Sequence, residues 1–177
     1  MDKKIAYSVL NIKSFEDTGE ERLIEGIAST PTVDRMGDEV NPLGAIFQTP
    51  MPLLLHHNHE MPVGNVEFAE ATPEGIPFKA RIAKIDEPGV LKDRVDEAWQ
   101  SVKAGLIRAV SIGFSAIKWS ETKTGLMFDE WEWYELSLVT IPANAEATIT
   151  NIKKFDIDHK KSFNSDIEVK DLQTAGD

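Results

Sequence analysis

Apolar and polar positions alternate along most of this chain, and only one stretch repeats at helical spacing. Near the start, Ile5, Tyr7 and Val9 fall on one side of an extended segment and Ala6, Ser8 and Leu10 on the other, which predicts a strand. A polar turn over 17–21 leads to a second predicted strand over 23–28, which stops at Ser29, Thr30 and Pro31. Residues 31–52 are crowded with Asp, Gly and Pro and predict a long ordered loop, a class of segment that is usually functional or disordered. The apolar run Leu53, Leu54, Leu55 enters a cluster of histidines and is broken by Pro62 and Gly64. Residues 66–69 and 78–84 predict a strand pair across a turn at 72–75, with Phe78, Ala80 and Ile82 facing inward.

The helical stretch is marked by Leu91, Val95, Ala98, Trp99 and Val102, which trace one stripe and end at Gly105. From Arg108 the period returns to two, so Val110, Ile112 and Phe114 share one face while Ser111, Gly113 and Ser115 share the other. A strand face built only of small residues is kept clear for a packed backbone or a bound peptide. A turn over 121–125 precedes a long strand over 126–141, rich in aromatic and branched residues. On its two-residue period Glu135 falls on the face of Trp131, Trp133 and Val139. The segment 151–177 carries five lysines and six acidic residues with few large apolar groups, which predicts a disordered tail or a lone helix. These elements predict one domain over 1–150, mainly β with one clear helix (α+β), in a small barrel or curled sheet, followed by the polar tail at 151–177.

Composition narrows the function. The 177 residues carry 19 Lys plus Arg against 30 Asp plus Glu, a formal net charge of -11, so a nucleic-acid backbone would be repelled over most of the surface. Cysteine is absent, which removes disulfides, thiolate nucleophiles and Cys-based zinc sites together. No apolar stretch has the length of a membrane span or a signal peptide, and a soluble intracellular protein is expected.

Three of the four histidines, His56, His57 and His59, fall within four positions. A metal reading needs imidazoles converging on one ion, but in an extended chain only His57 and His59 share a face. A nucleophilic reading needs a hydroxyl, a base and an orienting group, because a serine hydroxyl is barely ionised near neutral pH. Histidine is the side chain best suited to take that proton. Ser111, Ser115 and Ser137 are the candidate hydroxyls: Ser111 stands beside Gly113, where a substrate backbone can approach, Ser115 shares its face, and Ser137 sits in an apolar run that suits a structural hydroxyl bonded to backbone.

Four separated segments together resemble one family, the HK97-type prohead proteases of tailed phages. The first runs from Gly26-Ile27-Ala28-Ser29-Thr30 through Val33-Asp34-Arg35-Met36-Gly37-Asp38-Glu39-Val40 and is similar to the family's amino-terminal signature. The segment His56-His57-Asn58-His59-Glu60-Met61-Pro62-Val63-Gly64 resembles its histidine motif, in which the catalytic histidine lies five residues before the Pro, here His57. Ser111-Ile112-Gly113-Phe114 resembles its nucleophile strand, and the block from Glu135-Leu136-Ser137-Leu138-Val139 to Pro142-Ala143-Asn144 its last signature.

The resemblance implies a fold like the herpesvirus assembly proteases, a small β-barrel with helices. It also implies Ser111 as nucleophile, His57 as base and Glu135 in the matching third position. In the herpesvirus relatives a second histidine fills that third place, whereas the only histidine after Ser111 here is His159 in the tail. A salt bridge from Glu135 to Arg81 or Arg108 is the structural alternative, with His56 and His59 as bystanders. The implied function is a serine endopeptidase, without metal or organic cofactor, that cuts the major capsid protein or a scaffold inside the assembling prohead in the bacterial cytoplasm. Self-cleavage and a homo-oligomer are compatible with it. The competing expectation is a non-enzymatic capsid-assembly module that retains the protease fold.

Overall fold

The computed structural model describes residues 4–6, 14–17 and 21–140; the tail over 151–177, including His159, lies outside them. Ten strands, one α-helix and one short 3-10 helix occur among the described residues. They are β1 (Lys4–Ala6), β2 (Ser14–Asp17), β3 (Arg22–Ala28), β4 (Glu39–Val40), β5 (Ala45–Ile46), β6 (Met51–Leu55), β7 (Asn58–Phe68), β8 (Ile76–Ile82), α1 (Val90–Lys103), β9 (Ala109–Glu121) and β10 (Leu126–Val139). The 3-10 turn, Pro42–Gly44, lies between β4 and β5.

All strands join one sheet in the order β1-β9-β10-β6-β7-β8-β3-β2, with β4 and β5 also laid along β10. This corrects the expectation of a closed barrel. Closure requires the two end strands to pair, and here β1 and β2, three and four residues long, each bond a single neighbour among the described residues. The sheet is therefore open.

The expected loop over 31–52 contains more structure than its composition predicts. β4, β5 and β6 each run parallel to β10, at Met127–Phe128, Trp131–Glu132 and Leu136–Leu138 respectively, so the long strand organises short segments that have little propensity of their own. The Asp34–Asp38 motif clasps the turn between β9 and β10. Asp34 Oδ1 accepts the N–H groups of Met36 and Asp38, while Asp38 Oδ1 accepts that of Leu126.

Pro62 and Gly64 do not break the chain, as their composition suggested; β7 runs through both. Pro62 sits at a register shift against β6, where a missing N–H costs no regular ladder bond. Gly64 lies where a β-carbon would strike the Arg81 carbonyl of β8, so the glycine permits close strand approach.

The helix buries Val95, Ala98, Trp99 and Val102, leaves Leu91 half exposed, and packs on β7 and β8. Gly105, at φ 70, turns the chain out of it toward β9. The buried face of β9 and β10 is aromatic: Phe114 meets Phe128 and Trp131 at ring separations of 5.1 and 5.3 Å, and Trp131 meets Trp133 at 5.6 Å. Each fully buried large side chain contributes about 1.5–3 kcal/mol relative to exposure. That core fixes the two strands whose opposite face carries the candidate site.

Candidate active site

The histidine cluster forms a tight turn. Leu55 pairs with Asn58, leaving His56 and His57 as the two central residues of the β6–β7 hairpin, at φ 51 and φ 58. A two-residue hairpin of type I′ needs positive φ at both central positions, which is why Asn-Gly is its usual choice. Placing bulkier residues there costs on the order of 1–3 kcal/mol each. Two bonds to β10 hold the turn: His56 N–H donates to the Leu138 carbonyl at 3.0 Å, and His57 N–H donates to Ser137 Oγ at 3.0 Å. The turn thereby delivers the His57 ring to the face of the sheet shared by Ser111 and Ser137.

Glu135 reaches the same face by a β-bulge. Trp133 is opposite Phe114 and Glu135 is opposite Gly113, so Tyr134 is an extra residue with no partner across the ladder. Before the bulge the core-facing residues are Trp131 and Trp133; after it they are Leu136 and Leu138. A strict two-residue period puts Glu135 with the tryptophans. The bulge reverses the alternation and turns its carboxylate away from the core, toward His57.

The three residues implied by the family resemblance converge. His57 Nε2 lies 2.8 Å from Ser111 Oγ, and His57 Nδ1 pairs with Glu135 Oε1 on the other side of the ring. Glu135 Oε2 accepts a 2.8 Å bond from Ser137 Oγ. Ser111 and Ser137 are completely buried and Glu135 is nearly so, while the His57 side chain keeps 14% exposure. A buried carboxylate is costly without compensation, and here both oxygens have partners. The face expected to be clear around Gly113 is filled by the Glu135 side chain, with which a β-carbon on Gly113 would collide.

Neighbouring groups respond to this arrangement. Burial first, and the Glu135 charge second, push the Tyr134 phenol above its ordinary value of 10.0. The Tyr134 ring also lies edge-on to His59, at 6.5 Å between centroids.

Other candidates take different places. Arg81 pairs with Glu21 and Arg108 bonds the Gly105 carbonyl at 2.5 Å, so the partners of Glu135 are His57 and Ser137 instead. His56 is exposed at the turn, and Ser115 stands opposite Glu132, beyond Gly113. Among the described residues, no three or more His, Asp or Glu side chains gather to hold a metal ion. The apolar run around Ser137 suits a hydroxyl bonded to backbone. That hydroxyl does accept a backbone N–H, but its O–H is directed at Glu135. Its position directly opposite Ser111 was the one signal available, and it needed the strand register to be read.

Chemically, a ring nitrogen within hydrogen-bond reach of a hydroxyl, with a carboxylate on the other nitrogen, can take the hydroxyl proton while the carboxylate stabilises the resulting imidazolium.

Comparison with known proteins gives a consistent picture. Residues 41–163, more than half of the chain, match the family model described as caudovirus prohead serine protease. The capsid polyprotein of Pseudomonas phage PAJU2 is 53% identical over 160 residues, which cover 89% of this chain and 24% of that protein. This chain thus spans about a quarter of that relative's length. The prohead protease of Escherichia phage T5 is 26% identical over 168 residues, covering 86% of this chain and 76% of that one. The solved capsid assembly protease of bacteriophage T4 has a similar fold, with a TM-score of 0.51 over 78% of this chain and 94% of that one, at 12% identity.

Proposed function

The chain belongs to the caudovirus prohead serine protease family, and from that premise we propose that it is an endopeptidase of phage head maturation with Ser111 as nucleophile, His57 as general base and Glu135 as orienting group. The observation that carries the assignment is the continuous path from Ser111 Oγ through the two His57 nitrogens to Glu135.

In this mechanism Ser111 Oγ attacks the carbonyl carbon of a peptide bond as its proton passes to His57 Nε2. Glu135 holds Nδ1 as the donor, which leaves Nε2 free to accept, and its charge stabilises the imidazolium. The tetrahedral adduct collapses when His57 returns the proton to the leaving amine, giving an acyl-enzyme on Ser111. Water then repeats the sequence, with His57 again as base, and releases the new carboxyl terminus.

The substrate class we infer is capsid or scaffold protein inside the assembling shell, with the chain's own polypeptide as a further target. Its likeness to part of a capsid polyprotein supports this. High local concentration within a shell would make a modest intrinsic rate sufficient.

Mass spectrometry of the phage's capsid protein co-expressed with the wild-type chain and with Ser111→Ala tests the assignment. Defined cuts are expected with the wild type and none with the variant. Equal processing by both would move the nucleophile elsewhere, and absence of processing by either would favour a non-enzymatic assembly module.

A further inference from the structure

Ser137 is fully buried, and its hydroxyl is committed in two directions. It donates to Glu135 Oε2 at 2.8 Å and accepts the His57 backbone N–H at 3.0 Å. A hydroxyl has one proton and two lone pairs; with the O–H directed at the carboxylate and one lone pair meeting the amide, the rotor is fixed from both sides.

The two groups it joins are distant in sequence. Glu135 follows the bulge in β10, and His57 is the second central residue of the left-handed β6–β7 turn. Each depends on a local conformation that the backbone does not prefer. With Oε1 on the ring and Oε2 on Ser137, the carboxylate cannot rotate without losing one of its partners.

We propose that Ser137 is a positioning residue that locks the His57 backbone and the Glu135 carboxylate into one unit, so that the imidazole keeps its orientation toward Ser111. The proposal rests on the reading of His57 and Glu135 as base and orienting group. A second role as nucleophile is disfavoured by the same geometry: the Ser137 O–H is aimed at the Glu135 carboxylate and not at the imidazole nitrogen that faces Ser111.

Two measurements on the wild-type protein come first. The His57 amide belongs to a tight surface turn, yet the Ser137 bond should protect it from hydrogen exchange, and the proton on His57 Nδ1 should give a sharp downfield resonance. Exchange at the rate of an unbonded turn amide would overturn the proposal without reference to any variant. In Ser137→Ala the Nδ1 resonance should broaden or move upfield while the fold persists. On a peptide spanning the mapped cut site, kcat should fall by about 10- to 100-fold with KM little changed, as expected for a misplaced base.

Ser137→Thr keeps the hydroxyl and should recover most of the rate, whereas Ser137→Val, isosteric with the threonine variant, should not. That pair carries the comparison if the alanine variant does not fold. An unchanged Nδ1 resonance and kcat in folded Ser137→Ala or Ser137→Val would reject the positioning role. Failure of the Ser111 assignment would appear separately, as processing by Ser111→Ala with the His57 resonances still responding to Ser137.

Discussion

The Glu135 side chain lies against Gly113, its partner across the ladder, and fills the space that a β-carbon at that position would need. The obstructing atoms are the carboxylate and the Cγ just before it, not backbone. A methyl group there would displace the far part of a side chain and leave the strand intact.

Gly113→Ala should therefore separate activity from stability. The added methyl pushes Glu135 away from His57 Nδ1, removing the orienting contact, and loss of such a contact can cost as much as about 10⁴-fold in kcat where the tautomer is lost. Unfolding stability should change by no more than about 1–3 kcal/mol, the usual range for a small insertion into a packed site. Capsid processing and a urea melt of the same preparation check both. Full activity in a folded Gly113→Ala protein would mean that the carboxylate contributes little to turnover.

Much of this arrangement is legible in the sequence. The helical stripe through Val95, Ala98, Trp99 and Val102, and the alternation of Phe78, Ala80 and Ile82, follow from periodicity because each lies on one buried face. The features that periodicity missed are those where tertiary contacts override it. The extra residue at Tyr134 reverses the facing of Glu135, and nothing local marks a bulge in a run of aromatic residues. Pro62 and Gly64 look like breakers, yet both fit β7 because of what lies across from them. The meeting of Ser111 with His57 depends on β10 lying between β9 and β6, a pairing order that alternation along one strand does not encode.

Tyr134 offers an optical report on the charge of Glu135. Its phenol titrates above 10.0, first because burial disfavours the phenolate and second because the adjacent carboxylate repels it. With Tyr7 replaced by Phe, Tyr134 is the remaining tyrosine of the chain, and its ionisation can be followed by ultraviolet absorbance. Glu135→Gln should lower the midpoint but leave it above the ordinary value, since burial persists. The sign for stability follows from linkage. A raised folded-state value means that the contribution is complete below the unfolded value and is lost as pH rises through the folded one, so stability should decline on the alkaline side above about pH 10. A midpoint unmoved by Glu135→Gln would place the charge of that carboxylate out of reach of Tyr134.

Ser111 is completely shielded in this conformation, although, as the proposed nucleophile, it must meet the carbon it attacks. Reaction therefore requires an opening step, and its rate should follow the population of the open form. A fluorophosphonate probe, which phosphonylates an activated serine with loss of fluoride, should label the isolated protein slowly and only at Ser111. Low urea, below the main unfolding transition, should accelerate labelling by raising the open population, because local openings cost less than global unfolding. Ser111→Ala should remain unlabelled throughout, which separates this reaction from adventitious modification. Rapid labelling in the absence of urea, at a rate that added urea does not raise, would mean that the hydroxyl is already accessible in solution and that no opening limits the attack.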